Sequence, residues 1–169
     1  MERNSSWLRS GGLYVLLFEL VEEYRGPLGR RGLVDLPAGV YAYVGSAWGP
    51  GGLAARLRRH LCRGARRLWW HIDYLSTWRG YRGLGAVVCP GAARRLEPLL
   101  AAVLAASRVF RSLGRGLGGS DDRLGFGHFF AHCGDDVWSA AFAAMAAFPC
   151  VPRAVPAAML CSQIRAENV

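Results

Sequence analysis

Lysine is absent from this sequence, and all 21 of its cationic residues are arginine. A glycosylase-lyase that works through a lysine Schiff base would have no nucleophile here except the N-terminal amine, so this class of enzyme is not expected. Asparagine and glutamine are nearly absent too, because Asn4, Asn168 and Gln163 are the complete set. Depletion of these thermolabile side chains is a weak indication of a hot habitat.

The sequence also lacks a long hydrophobic run and a CxxC motif, and no signal peptide is expected. The apolar, uncharged stretch 137–152 is shorter than the roughly 20 residues that span a bilayer, and the start of the sequence, "MERNSSWLRS", is polar. The five cysteines are widely spaced and odd in number, which predicts reduced, mostly buried thiols. We therefore expect a cytoplasmic protein without a membrane partner, and the sequence leaves its oligomeric state open.

Positive charge is what the sequence has in excess. The formal net charge is +9 and the isoelectric point is about 10.1. Arginine keeps its charge at any physiological pH and binds phosphate oxygens two at a time. The charge predicts a polyanionic partner, most often nucleic acid. An arginine-biased, GC-rich genome would give the same composition, and this alternative stays open.

Two apolar runs predict neighbouring strands of one small sheet. The run "GLYVLLFELV" (12–21) is nearly continuous, and "GVYAYVGSA" (39–47) is rich in β-branched and aromatic residues. Alternation in the second run places Tyr41, Tyr43 and Gly45 on one face of the sheet. The segment "EEYRGPLGRRG" between the runs predicts an exposed loop or hairpin connection, and "YRGLGAVVCP" predicts a third strand.

Helical periodicity follows the second strand. Leu53, Leu57 and Leu61 recur every four residues as the buried stripe of a helix. Another face of this helix carries Arg56, His60, Arg63 and Arg67. Further helices are predicted for "AARRLEPLLAAVLAAS", with a kink or a start near its proline, and for "DDVWSAAFAAMAAF", capped by an aspartate, with a strand at "FGHFFAH". The order of elements predicts an α+β fold, an α/β sandwich with a small central mixed or antiparallel sheet flanked by helices.

Four side chains around the turn after the second strand could act together on a phosphodiester. Neighbouring strands would place Tyr14 beside Tyr43, and the following helix would present Arg56 and His60 toward the same edge. Phosphodiester hydrolysis needs a positioned water, an acceptor for its proton, a cation for the phosphorane charge and help for the leaving oxygen. A tyrosine pair, an arginine and a metal-bound carboxylate would supply these parts.

Glu97 is the carboxylate that the sequence singles out. It is the only acidic residue between Asp73 and Asp121, in a segment that is otherwise apolar or basic. A lone buried carboxylate is costly unless it holds a cation or has an ion-pair partner. A bound metal is one interpretation, and an ion pair with Arg94 or Arg95 is the other.

An ordered set of motifs resembles the GIY-YIG nuclease superfamily. The set runs from "GLY" in the first strand through "YVG" and "AARLRRHL" to "WWHIDYL", and the resemblance covers roughly residues 11–132. The segment "YVGSAWGPGGLAARLRRHL" resembles the homing-endonuclease branch of the superfamily. The fuller pattern is similar to a largely archaeal GIY-YIG-like domain of unknown function, some members of which are fused to base-excision glycosylases of the endonuclease III type.

The resemblance implies a phosphodiester hydrolase with one divalent metal, Mg²⁺ or Mn²⁺. By position in the motifs, Tyr43 would be the general base and Tyr14 would orient the water, with the assignment between the two tyrosines left open. Arg56 would stabilise the scissile phosphate, and Glu97 would bind the metal. His60 occupies the position of a histidine that several members keep near the site.

The predicted nucleic-acid contacts, with double-stranded or branched DNA as the partner, are Ser46, Arg59, Arg63, Arg66 and Arg67. His71 and Asp73 in "WWHIDYL" have two interpretations. They would support the site from behind, or they would form an internal hydrogen-bonded pair that caps this segment, and the second interpretation is favoured.

The sequence departs from the archaeal pattern at several positions. Gly119 and Asp122 stand where a "GFGCSDC" loop has cysteines, so a cysteine-dependent metal or redox role is not expected in this loop. The superfamily's late asparagine has no interior counterpart, and Trp69 replaces a residue that is often histidine.

A zinc site is a further interpretation of the strand predicted at "FGHFFAH". His128, His132 and Cys133 are all ligand types for zinc, but no fourth ligand follows at conventional spacing. Packing, or a polar strand end, is the favoured role for these side chains.

Three functions follow from these patterns. The leading expectation is a metal-dependent endonuclease on damaged or branched DNA, with residues 1–148 as a single GIY-YIG-like nuclease domain and 149–169 as a proline-containing extension, irregular or peripheral. The second is a nucleic-acid-binding module that kept the fold and the charge but has weak or no activity. The third is an interaction protein that uses the apolar helix "WSAAFAAMAAF", a stripe that is more often part of a core.

Overall fold

The computed structural model describes residues 5–62, 67–115, 117 and 124–166. The strands in this part of the chain are β1 (Gly12–Leu20), β2 (Tyr24–Pro27), β3 (Leu33–Leu36), β4 (Gly39–Ala47), β5 (Tyr81–Pro90), β6 (Phe110–Ser112), β7 (Phe129–His132) and β8 (Arg153–Pro156). Its α-helices are α1 (Gly52–Leu61), α2 (His71–Ser76), α3 (Glu97–Ala106), α4 (Val137–Met145) and α5 (Ala157–Ala166). Strands β2 and β3 form a separate hairpin, and the other strands form one six-stranded sheet.

The six-stranded sheet has the order β6-β7-β4-β1-β5-β8, and its neighbouring strands pair antiparallel. Strand β1 is central because nearly all of its residues are apolar and buried, so neither of its faces needs solvent. Helices α1, α2 and α5 pack on one face of the sheet, and α3 and α4 pack on the other. This layered arrangement confirms the predicted α+β sandwich with a small antiparallel sheet.

The two faces of β4 separate as its alternation predicts. Tyr43 shares a buried cluster with Tyr14, whereas Ala42 and Val44 belong to the cluster on the opposite face. The register that pairs β1 with β4 places Tyr14 directly opposite Gly45. The two tyrosines therefore lie on the sheet face that α1 and α2 cover, and this is where the candidate site forms.

Helix α1 buries its leucine stripe against the sheet, as predicted. The helix ends at Leu61, so Arg67 does not continue the helical face on which the periodicity placed it. Among the helices that the structure describes, none is both long enough and apolar enough to cross a membrane.

The starts of α3 and α4 confirm the sequence prediction. Helix α3 begins at Glu97 with Pro98 in its first turn, after a short 3-10 turn at Arg94–Leu96. Proline suits this position because the first N–H groups of a helix have no intrahelical acceptor. Helix α4 begins after Asp136, whose side chain accepts hydrogen bonds from two backbone N–H groups of the first turn.

The prediction of an irregular or peripheral segment from Pro149 is wrong for 153–166. Strand β8 pairs with β5 at the edge of the sheet, and α5 packs against α1. The side chains of Val155 and Leu160 are buried in the tyrosine-side core. Pro156 is tolerated in β8 because an edge strand need not donate every backbone hydrogen bond. The predicted domain boundary is not tested by this packing and stays a prediction.

The prediction of reduced thiols is wrong for four cysteines. Cys62 is bonded to Cys161 and Cys89 to Cys150, with Cα atoms 5.3 Å and 5.8 Å apart. The partners are 99 and 61 residues apart in sequence, so spacing carries no sign of the pairing. The packing of α5 on α1, and of the segment after α4 beside β5, brings the sulfurs together. Cys133 is free and exposed.

We expect the oxidised protein to present one titratable thiol, on Cys133, both when folded and when unfolded without reductant. Reduction should raise the count to five. It should also lower the free energy of unfolding, by roughly 4–5 kcal/mol for the longer loop alone. A chromogenic thiol reagent gives the count, and Cys133→Ser is the control that should remove the single signal. Five thiols in the unfolded, unreduced chain would mean that the disulfides do not form.

Candidate active site

A cleft of about 410 Å³ lies where β1 and β4 meet the loop into α1 and the start of α3. The residues that line it are Tyr14, Tyr43, Gly45, Ser46, Trp48, Gly49, Arg56, Trp70, Arg94 and Glu97. Two tyrosines, an arginine and a glutamate that the sequence assigned to catalysis are thus brought together, and Ser46, assigned to nucleic-acid contact, joins them. The cleft is open to solvent, so a ligand can reach these groups.

The two tyrosines stand side by side on adjacent strands. The ring centroids of Tyr14 and Tyr43 are 6.4 Å apart. The hydroxyl of Tyr14 lies over Gly45, where an added Cβ would be only 2.3 Å from the oxygen. The glycine of the "YVG" motif is therefore needed for space, because any larger side chain would occupy the place of the Tyr14 hydroxyl.

Burial keeps both phenols in the neutral form. Desolvation raises the pKa of Tyr14 well above its ordinary value, the charge of Tyr43 raises it further, and the positive charge of Arg56 lowers it. Desolvation likewise raises the pKa of Tyr43, with Glu97 acting in the same direction and Arg56 against it. In the free protein at neutral pH, both tyrosines are hydrogen-bonding groups without charge.

Arg56 is held in the cleft by an aromatic ring. Its guanidinium carbon lies 3.8 Å from the centroid of a Trp70 ring, which is the geometry of a cation–π contact. The side chain is half-buried, on the face of α1 next to the leucine stripe. Arg94, which is exposed, lines the same cleft and adds a second positive charge.

Glu97 is oriented by two neighbours. The hydroxyl of Ser46 donates a hydrogen bond to Oε2 of Glu97, and Nδ1 of His128 lies 3.2 Å from Oε1. The Glu97 side chain is 20% exposed, on the cleft side. In the described part of the chain, Glu97 forms no ion pair with Arg94 or Arg95. The structure therefore does not contain the ion pair that the sequence left open as the alternative to a bound metal.

The residues present fit a Mg²⁺ or Mn²⁺ site of the open kind. Mg²⁺ is commonly bound by one or two carboxylates and completes its octahedron with waters and substrate phosphate oxygens. Glu97 offers one partly exposed carboxylate beside the hollow in which a phosphate would lie. No group of three or more histidine, cysteine or acidic side chains suited to a metal occurs among the described residues, so a closed cage of protein ligands is not available there.

A buried ionic cluster lies behind the tyrosines. His60 is fully buried, its ring centroid is 6.3 Å from those of Tyr14 and Tyr43, and its Nδ1 lies 3.2 Å from Oδ1 of Asp73. Burial lowers the pKa of His60 against the opposing effect of Asp73, so the imidazole is neutral at pH 7. His60 does not line the cleft, and its position is that of a residue that supports the tyrosine rings.

Asp73 is the centre of this cluster. Its carboxylate accepts hydrogen bonds from Nη2 of Arg59 at 2.7 Å and from the backbone N–H groups of Trp69 and Trp70 at 2.9 Å and 3.1 Å. Burial alone would raise the pKa of Asp73, but the contact with His60 and the hydrogen bonds from Arg59 and the two amides outweigh it and hold the pKa well below its usual range. Asp73 thereby caps the start of α2.

The favoured pairing of Asp73 with His71 is wrong, although the capping role of Asp73 is confirmed. Among the described contacts, Asp73 bonds to Arg59 and approaches His60, whereas the ring of His71 packs over Gly29. Desolvation lowers the pKa of His71, with the nearby His128 acting in the same direction. The pairing was misassigned because sequence neighbours on a short helix point to different sides of it.

The arginines predicted to contact nucleic acid differ in their surroundings. Arg59 is engaged by Asp73 and also donates to the carbonyl of Arg67, so its charge is largely compensated inside the protein. Arg67 is exposed. Arg63 and Arg66 lie outside the described residues, as do the loop positions 119 and 122. DNA contact by these arginines stays a prediction.

The sequence analysis gave no role in the site to Trp48, Trp70, His128 or Arg94. His128 was considered only for zinc, and Arg94 only as an ion-pair partner of Glu97. The backbone N–H of Val44 donates to the carbonyl of His128 at 2.9 Å, and Tyr43 pairs with Phe129 across β4 and β7. This strand pairing brings His128 to Glu97, and no local pattern in the sequence signals it.

Gly45→Ala is expected to lower the free energy of unfolding by about 1–3 kcal/mol, because the added methyl group collides with the buried Tyr14 hydroxyl. Gly49→Ala is the matched control in the same cleft. An added Cβ there meets nothing within 4 Å, so the expected change is within about 0.5 kcal/mol. Unfolding in denaturant measures both changes. Equal stabilities of the two variants would contradict the close approach of Tyr14 to Gly45.

The antiparallel α+β sandwich, with its tyrosine pair under an arginine-bearing helix, agrees with the fold and site that the GIY-YIG resemblance implies. The chain belongs to the family described as Domain of unknown function DUF123, a GIY-YIG-like family whose model matches residues 13–147. No curated protein and no solved structure matches the chain. The match confirms the family-level resemblance and leaves the activity to be argued from the site.

Proposed function

We propose that this chain is a metal-dependent endonuclease that hydrolyses phosphodiester bonds in DNA. The observation that carries the proposal is the shared cleft, in which Tyr14, Tyr43, Arg56 and Glu97 from four segments line one solvent-accessible hollow. Packing explains a buried tyrosine, and an ion pair explains a buried glutamate. Neither explains why two hydroxyls, a guanidinium and a carboxylate converge where a ligand can enter.

Arg56 would bind non-bridging oxygens of the scissile phosphate and stabilise the charge that develops on them. Its stacking on Trp70 holds the guanidinium in place before a substrate arrives, which removes part of the ordering cost. Ser46 and His128 keep both oxygens of Glu97 in position at the edge of the cleft. A Mg²⁺ or Mn²⁺ ion bound by Glu97 would supply Lewis-acid stabilisation of the phosphate charge.

The tyrosines would orient the attacking water and accept its proton. Tyr43, the proposed general base, is neutral in the free protein because burial raises its pKa. Its contribution as a base should therefore grow as pH rises, since a larger fraction is then phenolate. Tyr14 would hold the water through its hydroxyl, which Gly45 leaves room for. His60 would position the two rings from behind.

The proposed substrate is double-stranded or branched DNA at damaged or structurally unusual positions. The net charge of +9 supports a polyanionic partner, and Arg56 and Arg94 carry part of that charge into the cleft. Damaged DNA is favoured by the similarity to archaeal domains that are fused to glycosylases of the endonuclease III type, a closer relationship that we propose in addition to the family membership.

A nucleic-acid-binding module without activity is the second candidate. The missing interior asparagine and the raised pKa of Tyr43 favour it, because both would weaken a hydrolytic mechanism. The third candidate, an interaction surface on α4, has less support. The apolar residues Val137, Ala141 and Met145 of α4 are buried in the core rather than presented to a partner.

The test of the proposal is a cleavage assay on nicked, branched and uracil- or inosine-containing duplexes with Mg²⁺ or Mn²⁺. We expect cleavage that stops in EDTA and that Arg56→Ala slows roughly 100- to 1,000-fold, because one preorganised donor to the phosphate is lost. Arg56→Lys should recover only part of the rate, since lysine cannot bind two oxygens in one plane.

Arg25→Ala, at an exposed arginine of the β2–β3 hairpin, is the control and should cleave like the wild type. Absence of cleavage by the wild type with either metal, or cleavage that survives Arg56→Ala, would overturn the proposal. Salt-sensitive binding that does not depend on metal would then support the binding module.

A further inference from the structure

Two large aromatic side chains beside the cleft are exposed. Trp48, in the loop after β4, is 48% exposed and lines the cleft, and Trp69, before α2, is 67% exposed. Tryptophan is usually well buried, because its ring has more apolar surface to remove from water than any other side chain. Two exposed indoles at one site therefore indicate a surface that a ligand covers.

Trp48 is held in a fixed position. An added Cβ on Gly11 would lie 2.5–2.8 Å from three atoms of the six-membered ring, so the ring face rests on the Gly11 backbone. Trp69 is fixed at its backbone, because its N–H donates to the buried carboxylate of Asp73 at 2.9 Å. The Trp48 ring and the Trp69 backbone are thus held in place beside the cleft.

The two tryptophans flank the phosphate-binding part of the cleft. A second hollow of about 340 Å³ is lined by Trp69, Trp70 and Arg56, and it shares Arg56, Trp70 and Gly49 with the cleft. The stack of Arg56 on Trp70 forms the wall between the two cavities. A path therefore leads from Trp48, past the Arg56 guanidinium, to Trp69.

We propose that this path binds single-stranded DNA, with the bases on either side of the scissile phosphate stacked on Trp48 and Trp69. The inference rests on the proposed function and names its substrate class: DNA whose bases are unpaired at the cut, as in a flap, a bubble or a single-stranded arm of a junction. Arg56 and Arg94 carry the positive charge that binds backbone phosphates, and the indoles offer flat apolar faces on which bases can stack. Bases inside a duplex are stacked on each other and cannot offer those faces.

The binding test uses a labelled short oligothymidylate in EDTA, followed by fluorescence anisotropy, so that the result does not depend on cleavage. Trp48→Ala and Trp69→Ala should each weaken its binding roughly 5- to 150-fold, the range seen for the loss of one base-stacking aromatic residue. Binding of a duplex of equal length should not change. Phenylalanine at either position should retain part of the affinity, because it keeps a ring face.

Two controls separate stacking from charge and from folding. An abasic oligomer of the same length keeps the phosphates but has no bases, so the wild type should bind it at least as weakly as each single alanine variant binds oligothymidylate. Leu33→Ala removes an 83% exposed apolar side chain from the β2–β3 hairpin and should leave binding unchanged.

The results for binding and cleavage have separate meanings. Alanine variants that bind oligothymidylate like the wild type, or a wild type that prefers the duplex, would overturn this inference while cleavage of duplexes could still uphold the proposed function. A wild type that binds oligothymidylate through both tryptophans but cleaves no substrate would uphold the stacking path and overturn the nuclease. With an active wild type, a flap should be cut faster than a fully paired duplex, and the alanine variants should lose that preference.

Discussion

Glu97→Gln is expected to slow metal-dependent cleavage by roughly 1,000-fold, because the proposed metal ligand loses its charge and with it about 4 kcal/mol of transition-state stabilisation. The amide has nearly the shape of the carboxylate, so Ser46 can still donate to its oxygen. The first turn of α3 loses one favourable charge, which should change the free energy of unfolding by no more than about 1 kcal/mol. The variant should therefore be folded and inactive.

Steady-state cleavage of a branched duplex over a range of Mn²⁺ concentrations measures this effect, and thermal unfolding checks the fold. Glu23→Gln is the matched control, because Glu23 is an exposed glutamate near the β2–β3 hairpin. It should cleave like the wild type. If Glu97→Gln also cleaves at the wild-type rate, Glu97 does not hold the metal and the assignment of the site is wrong.

Asp73→Asn is expected to lower the free energy of unfolding by about 3–5 kcal/mol, because it removes the charge that compensates Arg59 inside the protein. The carboxylate is fully buried and accepts hydrogen bonds from three groups, two of them backbone amides. An asparagine would turn N–H donors toward these donors and leave several of them unsatisfied. Urea unfolding at pH 7 measures the change.

Asp35→Asn is the control for this prediction. Asp35 also pairs with an arginine, Arg25, but the two side chains are 61% and 71% exposed. Exposed pairs contribute little, so the expected loss is about 0–1 kcal/mol. Equal losses in the two variants would contradict the burial of the Asp73 cluster.

The cluster of Asp73 and His60 should make the folded protein less stable as the pH falls. The folded-state pKa of Asp73 lies below its ordinary value of 3.8, so its contribution is complete above that pH and is lost as pH falls further. The folded-state pKa of His60 lies below 6.5, so the unfolded chain takes up a proton first and stability begins to fall below about that pH. The Asp73→Asn variant should lack the loss of stability below pH 3.8, because it has no carboxylate at this position to protonate.

Much of the site could be predicted from the chain alone because its parts are local. Strand alternation put Tyr43 on the face that is now seen under α1, and the leucine spacing of α1 put Arg56 beside the buried stripe. Glu97 stood out because it is isolated in an apolar and basic segment, and it begins α3. Periodicity and isolation are properties of neighbours in sequence, and folding preserves them.

The partners of these residues could not be predicted, because they come from distant segments. His128 reaches Glu97 only through the pairing of β7 with β4, and Asp73 reaches His60 only through the packing of α2 on α1. The disulfides join positions 99 and 61 residues apart for the same reason. Strand β8 was missed because Pro152 and Pro156 suggested an irregular segment, whereas an edge strand tolerates a proline.

The sequence by itself predicted a polyanionic partner, the α+β class and the two tyrosines, the arginine and the glutamate of the candidate site. Only the tertiary structure decided that these four side chains share one open cleft, that Asp73 neutralises Arg59 and that Trp48 and Trp69 are exposed beside the cleft. The physical reason is that charge and periodicity belong to the chain, whereas burial and convergence are set by which distant surfaces pack together.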